Sequence, residues 1–188
     1  MNTLQPGLCV LGTRLPGCFN VFEMSVRAVL GQQITVKAAS TLAARLVAVY
    51  GTQVQTGIEG LTHSFPAPAA ILALGENISE HLGKLGIISA RANTIYQLAR
   101  VLADEKNDFG FCGNPEEEMQ KLQAIRGIGS WTAQYIAMRA MGWPDAFLPT
   151  DAGIKKALPD HTPKELQVLS EAWRPWRSYA TVNLWNTL

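Results

Sequence analysis

The turn Gly127-Ile128-Gly129 joins two apolar helical patterns, and this junction constrains the fold more than any other feature of the chain. Before the turn, Leu122, Ile125 and Ile128 recur at every third position, close to the spacing of one helix face. After it, apolar residues recur at the i, i+4 and i+7 positions Trp131, Tyr135 and Met138. Glycine adopts positive φ without steric cost and permits close approach of another backbone. The pattern therefore predicts two helices joined by a tight hairpin at about residues 118–139.

The second helix of this hairpin begins at an anion-binding position. The backbone amides of Gly129, Ser130, Trp131 and Thr132 open the helix, so they have no intrahelical partner and lie at the positive end of its dipole. Phosphate groups bind at such N-termini. A bare Gly-x-Gly is more typical of a helix cap beside an ordinary buried helix, so the prediction of phosphate binding depends on the surrounding pattern.

The composition describes a globular protein with a full-sized core, for which one compact domain is the simplest interpretation. The chain has 188 residues, of which 47% are hydrophobic and 16% charged. Its formal net charge of +1 gives the molecule no general attraction for nucleic acid. Any DNA contact must come from local geometry and a few cations, which disfavours a purely electrostatic DNA binder.

Cysteine usage and hydropathy restrict the metal chemistry and the compartment. Cys9, Cys18 and Cys112 are odd in number and widely spaced, which fits neither a disulfide framework nor a zinc or iron–sulfur site. The N-terminus lacks a basic segment before an apolar run, and the later apolar segments are interrupted by Arg, Lys or Gly. Secretion and membrane insertion are therefore disfavoured, and we expect a cytoplasmic protein without an iron–sulfur cluster.

Helical periodicity extends over nearly the whole chain. A first helix follows Pro16-Gly17 and ends at Gly31. Its apolar stripe consists of Phe22, Val26, Val29 and Leu30. A second helix is predicted from about Val36 to Tyr50. Its stripe consists of Ala39, Leu42, Ala43, Leu46 and Val49.

Further helices are predicted after Phe65-Pro66-Ala67-Pro68, after Leu85-Gly86, and at Pro115 beyond a loop at Lys106–Asn114. The helix after Leu85-Gly86 carries the stripe Ala92, Ile95, Tyr96, Ala99 and Leu102. No segment alternates convincingly with a period of two. We therefore expect an all-α fold of several helices without a substantial sheet.

Asp151 is the candidate catalytic residue, and it comes immediately before the helical pattern 152–158. By spacing alone its favoured role is an N-cap, which contributes on the order of 1 kcal/mol. The two roles are compatible, since a carboxylate at a helix N-terminus can stabilise a cationic transition state or orient water in glycosidic-bond cleavage. No partner acid is evident in the sequence.

Four aromatic residues lie close together near the C-terminus, interspersed with Arg174 and Arg177. They are Trp173, Trp176, Tyr179 and Trp185. Much of this cluster is explained by core packing, because Trp and Tyr bury large apolar areas. A tryptophan face could also stack on an unpaired base, and an alkylated, positively charged purine would gain a cation–π interaction of about 0.5–2 kcal/mol.

With these motifs in order, the chain resembles the helix-hairpin-helix DNA glycosylases with a Gly/Pro-rich loop and a trailing aspartate, the HhH-GPD superfamily. Within them it is most similar to the bacterial 3-methyladenine DNA glycosylase II, or AlkA, type. The matching motifs are Arg14–Gly17 (RLPG), Ala28–Ile34 (AVLGQQI), Leu122–Tyr135, Phe147–Asp151 (FLPTD) and Trp173–Ala180 (WRPWRSYA). The resemblance implies a multi-helix glycosylase domain over residues 14–188.

The resemblance also implies a site and a reaction. Asp151 becomes the catalytic carboxylate, which assists loss of a base through an oxocarbenium-like sugar and attack by water. Trp131, Tyr135 and Trp185 match the aromatic positions of the base pocket. Relatives with a strand-cleaving step carry a lysine where this chain has Trp131, so we expect a monofunctional enzyme. The implied DNA contacts are Gln32, Gln33, Gly127, Gly129, Ser130 and Thr132.

A monovalent cation, Na⁺ or K⁺, is also implied at the hairpin. By position, its ligands are the backbone carbonyls of Gln123, Ile125 and Ile128. No other cofactor is expected to be required.

Two departures from the AlkA-type pattern bear on function. That pattern has a leucine after Gly-Gln as the wedge that fills the gap left by a flipped nucleotide, whereas this chain has Gln33 after Gly31-Gln32. A polar wedge can fill space and hydrogen-bond the orphaned base. AlkA-type proteins also carry a small α/β domain before the catalytic helices. Residues 1–13 are then a lead-in, consistent with a remnant of that domain in a fragment of a longer protein.

The expected function is thus removal of alkylated purines of the 3-methyladenine type from duplex DNA by a monomeric hydrolase. The main alternative is a non-catalytic helix-hairpin-helix module that grips DNA non-specifically. Asp151 discriminates between them, because a carboxylate near the DNA backbone repels phosphate and a binding module does not need it. A third interpretation is a helical protein-interaction domain whose tryptophans form a partner groove.

Overall fold

The computed structural model describes residues 8–104 and 114–188, so Cys112 and most of the loop expected at Lys106–Asn114 lie outside the described residues. The chain divides into two compact units. As described, the N-terminal unit comprises residues 20–104 and 123–128, and the C-terminal unit comprises residues 8–19, 114–122 and 129–188. Across these described ranges, no helix is both long enough and apolar enough to cross a membrane.

Helices dominate the N-terminal unit. They are α1 (Val21–Leu30), α2 (Val36–Tyr50), α3 (Pro68–Leu72), α4 (Ile78–Gly83) and α5 (Ser89–Leu102), with a 3-10 turn at Gly75–Asn77. One small hairpin pairs β1 (Thr52–Gln53) antiparallel with β2 (His63–Ser64). The central helix is α5, which packs against α1, α3 and α4. The expectation of a helical fold without a substantial sheet is confirmed.

The apolar stripes of α1 and α5 form the core of this unit. All four predicted residues of α1 are buried. In α5, Ala92, Ile95 and Ala99 are buried as predicted, whereas Tyr96 and Leu102 are only half-buried. Thr94 and Leu98, outside the predicted stripe, are also buried, because three helices pack against α5.

Helix α2 has the predicted bounds but a narrower buried side than expected. Its N-cap is Thr35, whose hydroxyl accepts from the amide of Ala38. Only Ala43 and Leu46 are buried, and Val49 is 56% exposed, so its predicted place in the core was wrong. The reason is that α2 packs mainly against α1, and a single neighbouring helix covers little of its surface.

Close packing at the end of α2 requires glycine at position 51, which helix periodicity does not predict. The φ of Gly51, −70°, is accessible to any residue. A Cβ atom at Gly51 would, however, lie 2.4 Å from the carbonyl oxygen of Val47 and 2.5 Å from that of Ser64. Glycine is required there by space, because β2 passes directly over the helix end.

The C-terminal unit contains residues 115–122 of helix α6 and four further helices. The helices are α6 (Pro115–Ala124), α7 (Ser130–Arg139), α8 (Ala152–Ala157), α9 (Pro163–Ser170) and α10 (Arg177–Trp185), with a 3-10 turn at Glu171–Trp173. Their core includes Met138, Phe147, Leu148, Ile154, Leu166, Trp173 and Leu184. Trp173 is 1% exposed and meets the Phe147 ring edge-on, with 5.9 Å between centroids. It is therefore a core residue and cannot stack on a base.

A buried ion pair ties the segment before α8 to the start of α10. The Arg177 side chain donates from Nε to Oδ1 of Asp145 at 2.8 Å and from Nη2 to Oδ2 at 3.0 Å. Arg174 donates a further hydrogen bond to Oδ2 at 2.6 Å. Because a buried charge is costly unless it is paired, this cluster fixes the loop that leads to Asp151.

Candidate active site

Asp151 is the N-cap of α8, as its position in the sequence predicts. Its backbone is extended, with φ −63° and ψ 138°. Its Oδ1 accepts hydrogen bonds from the amide of Gly153 at 2.9 Å and from the amide of Ile154 at 3.1 Å. These two amides have no intrahelical partners of their own, so the carboxylate satisfies them and its orientation is fixed by the helix.

Two indole groups complete the hydrogen bonding of Asp151. Trp185, the last residue of α10, donates from Nε1 to Oδ1 at 2.8 Å. Trp131, in the first turn of α7, donates from Nε1 to Oδ2 at 3.0 Å. Among the described residues, Oδ1 thus has three donors and Oδ2 has one. A carboxylate oxygen can accept more than one hydrogen bond, so Oδ2 retains capacity for another group.

The three aromatic residues assigned to a base pocket form one contiguous cluster beside Asp151. The Trp131 and Tyr135 rings are stacked, with centroids 5.1 Å apart and planes 11° apart. The Tyr135 and Trp185 rings are tilted by 48°, with centroids 6.3 Å apart. All three side chains are half-buried, and they pack against the core of the C-terminal unit. The structure therefore brings the predicted carboxylate and aromatic residues together.

Arg139 supports this cluster, and the sequence analysis gave it no role. Its Nη1 donates to the hydroxyl of Tyr135 at 3.2 Å, and its Nε donates to the carbonyl of Pro16 at 2.6 Å. Its guanidinium carbon lies 5.7 Å from the centroid of the Tyr135 ring. The spacing of four residues from Tyr135 could have indicated this contact, since side chains at i and i+4 meet on a helix.

Gly153 is a second site residue that the sequence analysis missed. A Cβ atom at Gly153 would lie 2.7 Å from Cδ1 and 2.9 Å from Nε1 of Trp185, and 3.1 Å from Oδ1 of Asp151. The indole of Trp185 can reach the carboxylate only because residue 153 has no side chain. A glycine in the first turn of a helix is a weak signal for such an approach, because glycine disfavours the helical conformation.

The glycine turn of the predicted hairpin uses its two glycines differently. Gly127, in the N-terminal unit, has φ 96°, and a Cβ there would lie 2.0 Å from Oγ1 of Thr94. Gly129, in the C-terminal unit, has φ −90° and is the N-cap of α7. Among the described residues, apart from Gly129 and its two neighbours in the chain, no heavy atom lies within 4 Å of the Cβ position at Gly129. Only Gly127 therefore needs the positive φ and close packing expected of the turn.

Most of the predicted DNA contacts lie at the surface. Gly127, Gly129 and Ser130 are exposed, whereas Thr132 is 2% exposed. The Thr132 hydroxyl accordingly lies inside the C-terminal unit. The carbonyl of Ile125, one of the predicted cation ligands, accepts from the amide of Ile128 at 3.0 Å. A carbonyl oxygen has two lone pairs, so this bond is compatible with cation binding.

Gln32 and Gln33 form a turn after α1, in which Gln33 is exposed and Gln32 is half-buried. Gln33 has φ 56°, and Gln32 donates from Nε2 to the carbonyl of Gly127 at 3.0 Å. Two residues predicted to contact DNA, Gln32 and Gly127, are thus in direct contact within the N-terminal unit.

Comparison with known proteins identifies the family. The sequence of DNA-3-methyladenine glycosylase 2 from Escherichia coli strain K12 is 38% identical over 187 residues, which cover 100% of this chain and 63% of that protein. A Mycobacterium tuberculosis protein named "Probable bifunctional transcriptional activator/DNA repair enzyme AlkA" is 42% identical over 94% of this chain and 35% of its own length. The chain thus spans less than two thirds of these curated relatives.

Among solved structures, a 3-methyladenine DNA glycosylase from Archaeoglobus fulgidus superposes with a TM-score of 0.77 and 25% identity, covering 90% of this chain and 58% of that chain. These similarities confirm the resemblance to AlkA-type proteins. Residues 26–177 match the model of the HhH-GPD superfamily of base excision DNA repair proteins. The chain belongs to this superfamily.

Proposed function

We propose that the chain is the catalytic part of a monofunctional DNA glycosylase that removes alkylated purines of the 3-methyladenine type from duplex DNA. The observation that carries this proposal is the carboxylate of Asp151, held by four N–H donors, two of them indoles of an aromatic cluster. A structural N-cap needs only the two backbone donors. The additional indole donors orient the carboxylate toward the cluster in which a flipped base would lie.

In the proposed reaction, the bond between the base nitrogen and C1′ of the sugar breaks, and its electron pair leaves with the base. A positively charged alkylated purine departs as a neutral molecule, while positive charge develops on the sugar. Asp151 stabilises this charge electrostatically. A water oxygen then bonds to C1′, and the carboxylate takes up the proton that water loses.

The aromatic cluster provides the selectivity of the proposed enzyme. The faces of Trp131 and Trp185 attract a cationic base more strongly than a neutral one, by about 0.5–2 kcal/mol. Flipping costs least for a damaged base, which favours the same substrates. Trp131 stands at the position of the lyase lysine, and a tryptophan cannot form a Schiff base. Strand cleavage is therefore absent from the proposed activity.

DNA contact in this proposal comes from the exposed turns. The amides at Gly129 and Ser130, at the N-terminus of α7, receive a phosphate, and Gln33 enters the space left by the flipped nucleotide. A Na⁺ or K⁺ ion at the carbonyls of Gln123, Ile125 and Ile128 would supply a positive charge that attracts DNA phosphate. The enzyme acts as a monomer in the cytoplasm and needs no further cofactor.

Base release from methylated duplex DNA tests the proposal, with wild type compared with Asp151→Asn. We expect wild type to release free base, and strand breaks to follow only after alkali treatment. Asp151→Asn keeps duplex binding but loses release. Asp160→Asn, a substitution of an exposed aspartate outside the site, is the matched control and keeps wild-type release.

Three outcomes would contradict the proposal. Release by Asp151→Asn at the wild-type rate would remove the catalytic role of that residue. Strand breaks without alkali would show lyase activity. Tight, salt-sensitive duplex binding by wild type without any release would favour a non-catalytic DNA-binding module instead.

A further inference from the structure

The turn at Gln32–Gln33 adopts a conformation that its own sequence disfavours. In the part of the chain that the structure describes, Gln33 is the only residue other than glycine with positive φ, at 56°. Non-glycine residues seldom occupy this left-handed region, and Gln lacks the short side chain that helps Asn and Asp to do so. Such a conformation persists only where surrounding contacts enforce it.

Those contacts come from both sides of Gln32. On one side, the guanidinium of Arg91 in α5 donates from Nη2 to the carbonyl oxygen of Gln32. On the other, the Gln32 side chain donates to the carbonyl of Gly127 at 3.0 Å. The amide of Gln32 also donates to the carbonyl of Val29 at the end of α1. The residue before Gln33 is therefore held at its amide, its carbonyl and its side chain.

The same helix holds the glycine turn. Thr94, one turn after Arg91 in α5, donates from Oγ1 to the carbonyl of Arg126 at 3.0 Å and packs against Gly127. Arg91 and Thr94 line a cavity of about 140 Å³ together with Gln32, Gln33 and Gly127. One face of α5 thus contacts both the Gln32–Gln33 turn and the chain at Arg126–Gly127.

We propose that Arg91 is a positioning residue for Gln33, an inference that rests on the proposed glycosylase function. Arg91 holds the carbonyl of Gln32, which fixes the peptide between Gln32 and Gln33 and keeps Gln33 in the left-handed conformation. The Gln33 side chain is then presented at the surface before DNA binds, and no ordering of the turn is needed when a nucleotide leaves the helix. Arg91 acts through Gln33 and does not itself contact the reacting atoms.

Arginine suits this role because its donors are arranged rigidly in one plane. A guanidinium held at a carbonyl keeps its direction, whereas the ammonium of a lysine is a point charge on a flexible stem. Arg91→Lys keeps the charge and one hydrogen bond but loses the fixed direction. We therefore expect Arg91→Lys to fall between wild type and Arg91→Ala in each measurement.

Amide hydrogen exchange of the free protein tests the positioning role without relying on activity. The amides of Gly31 and Gln32 donate to carbonyls at the end of α1, so their exchange reports opening of the turn. Loss of a charge-assisted hydrogen bond is expected to accelerate this exchange roughly tenfold in Arg91→Ala. The matched control is Arg100→Ala, which removes the same charge from an exposed site on the same helix and leaves this exchange unchanged.

Single-turnover base release then links Arg91 to Gln33. We expect Arg91→Ala to slow release roughly tenfold at saturating enzyme, with little change in affinity for undamaged duplex, because the loss is one of positioning. In a Gln33→Gly background, Arg91→Ala has no further effect, since its target is missing. We expect Arg91→Lys to slow base release in the same way but by a smaller factor. It replaces Arg91→Ala in this experiment if Arg91→Ala does not fold.

The outcomes separate this inference from the proposed function. Unchanged exchange in Arg91→Ala would overturn the inference even if wild type releases base. The inference would also be overturned if Arg91→Ala and Gln33→Gly slowed base release additively and Arg91→Ala weakened duplex binding. That result would identify Arg91 as a direct phosphate contact. If exchange is faster in Arg91→Ala but the wild-type protein releases no base, the glycosylase function is rejected. Arg91 is then still the residue that holds the turn.

Discussion

The indole Nε1 of Trp185 donates a hydrogen bond to Oδ1 of Asp151 over 2.8 Å, across 34 residues of sequence. The bond places a residue proposed to line the base pocket in direct contact with the proposed catalytic group. We expect Trp185→Phe, which keeps an aromatic ring but removes the donor, to slow single-turnover base release roughly tenfold or more, because hydrogen bonds to charged groups contribute about 1.5–3 kcal/mol.

The matched control for Trp185→Phe is Trp176→Phe. Trp176 is 50% exposed and meets Tyr179 edge-on outside the cluster, so we expect its substitution to leave base release unchanged. Thermal unfolding of both variants shows whether a slower rate reflects lost folding. Equal rates in wild type and Trp185→Phe would mean that the indole N–H does not contribute to the reaction.

Local sequence signals were sufficient to find Asp151 and the helices around it. An Asp before a helical pattern predicts an N-cap, and Asp151 is one. The predicted bounds of α2, from about Val36 to Tyr50, are also those of the helix in the structure. The resemblance supplied the aromatic residues, and the structure brings all three together beside the carboxylate.

Contacts between distant segments left no such signal. The bond from Arg91 to Gln32 spans 59 residues, and the pair Asp145–Arg177 spans 32. Periodicity reports which face of a helix is apolar, but it does not report which polar side chain a neighbouring segment will meet. The local sequence likewise does not predict that position 153 must be glycine, because this requirement depends on where Trp185 lies.

Gly153→Ala is expected to impair the site without unfolding the protein. The new Cβ would lie 2.7 Å from Cδ1 of Trp185, so the indole must move away from Asp151. Alanine is also a better helix former than glycine by about 1 kcal/mol, which offsets part of the strain. We expect base release to fall roughly tenfold or more, with the melting temperature close to that of wild type.

Gly83→Ala provides the comparison for Gly153→Ala. Gly83 ends α4, and in the described part of the chain no heavy atom outside its own helix turn and its neighbours lies within 4 Å of its Cβ position. Its substitution should leave base release at the wild-type rate. If Gly153→Ala also releases base at that rate, close packing of Trp185 on residue 153 is not needed for activity.

The two glycines of the hairpin turn are expected to respond differently to alanine. Gly127→Ala combines a φ of 96° with a Cβ position 2.0 Å from Oγ1 of Thr94, and we expect it to lower the free energy of unfolding by about 2 kcal/mol or more. Gly129→Ala introduces neither problem, and only the poorer N-cap preference of alanine lowers its stability, so we expect a smaller loss than for Gly127→Ala. Urea denaturation measures both variants, and equal stabilities would contradict the distinction.

Stability should depend on pH through the capping box of α9. Oε2 of Glu165 accepts from the amide and the hydroxyl of Thr162, each at 2.7 Å. The backbone hydrogen bond, and then the side-chain one, lower the pKa of Glu165 from its ordinary value of 4.5. Because the folded-state pKa is the lower one, the contribution is present above 4.5 and is lost as the pH falls through the folded-state value.

The variant Glu165→Gln isolates this contribution. Glutamine resembles the protonated carboxyl group, so its destabilising effect should be present at about pH 7 and shrink as the pH falls below the ordinary pKa of a glutamate. Chemical denaturation of wild type and variant across this range measures the difference. A difference that does not change with pH would show that the charge of Glu165 does not stabilise the helix.

The buried pair Asp145–Arg177 should show strongly non-additive energetics. The two side chains are 8% and 5% exposed. Removing one partner leaves a buried charge with a single weaker partner, Arg174 for Asp145 or Glu171 for Arg177, so we expect a cost toward the lower end of about 3–5 kcal/mol. Asp145→Asn and Arg177→Met are each expected to destabilise the protein by about that amount. The double variant leaves no unpaired charge and should cost clearly less than the sum of the two.

The exposed pair Glu80–Lys84 is the control, since its side chains are 70% and 66% exposed. Each single substitution there should cost less than about 1 kcal/mol. Additive effects at Asp145 and Arg177 would mean that the pair is solvated and does not fix the loop before Asp151. If the pair does fix that loop, Asp145→Asn should also slow base release, because Asp151 would lose its position relative to Trp185.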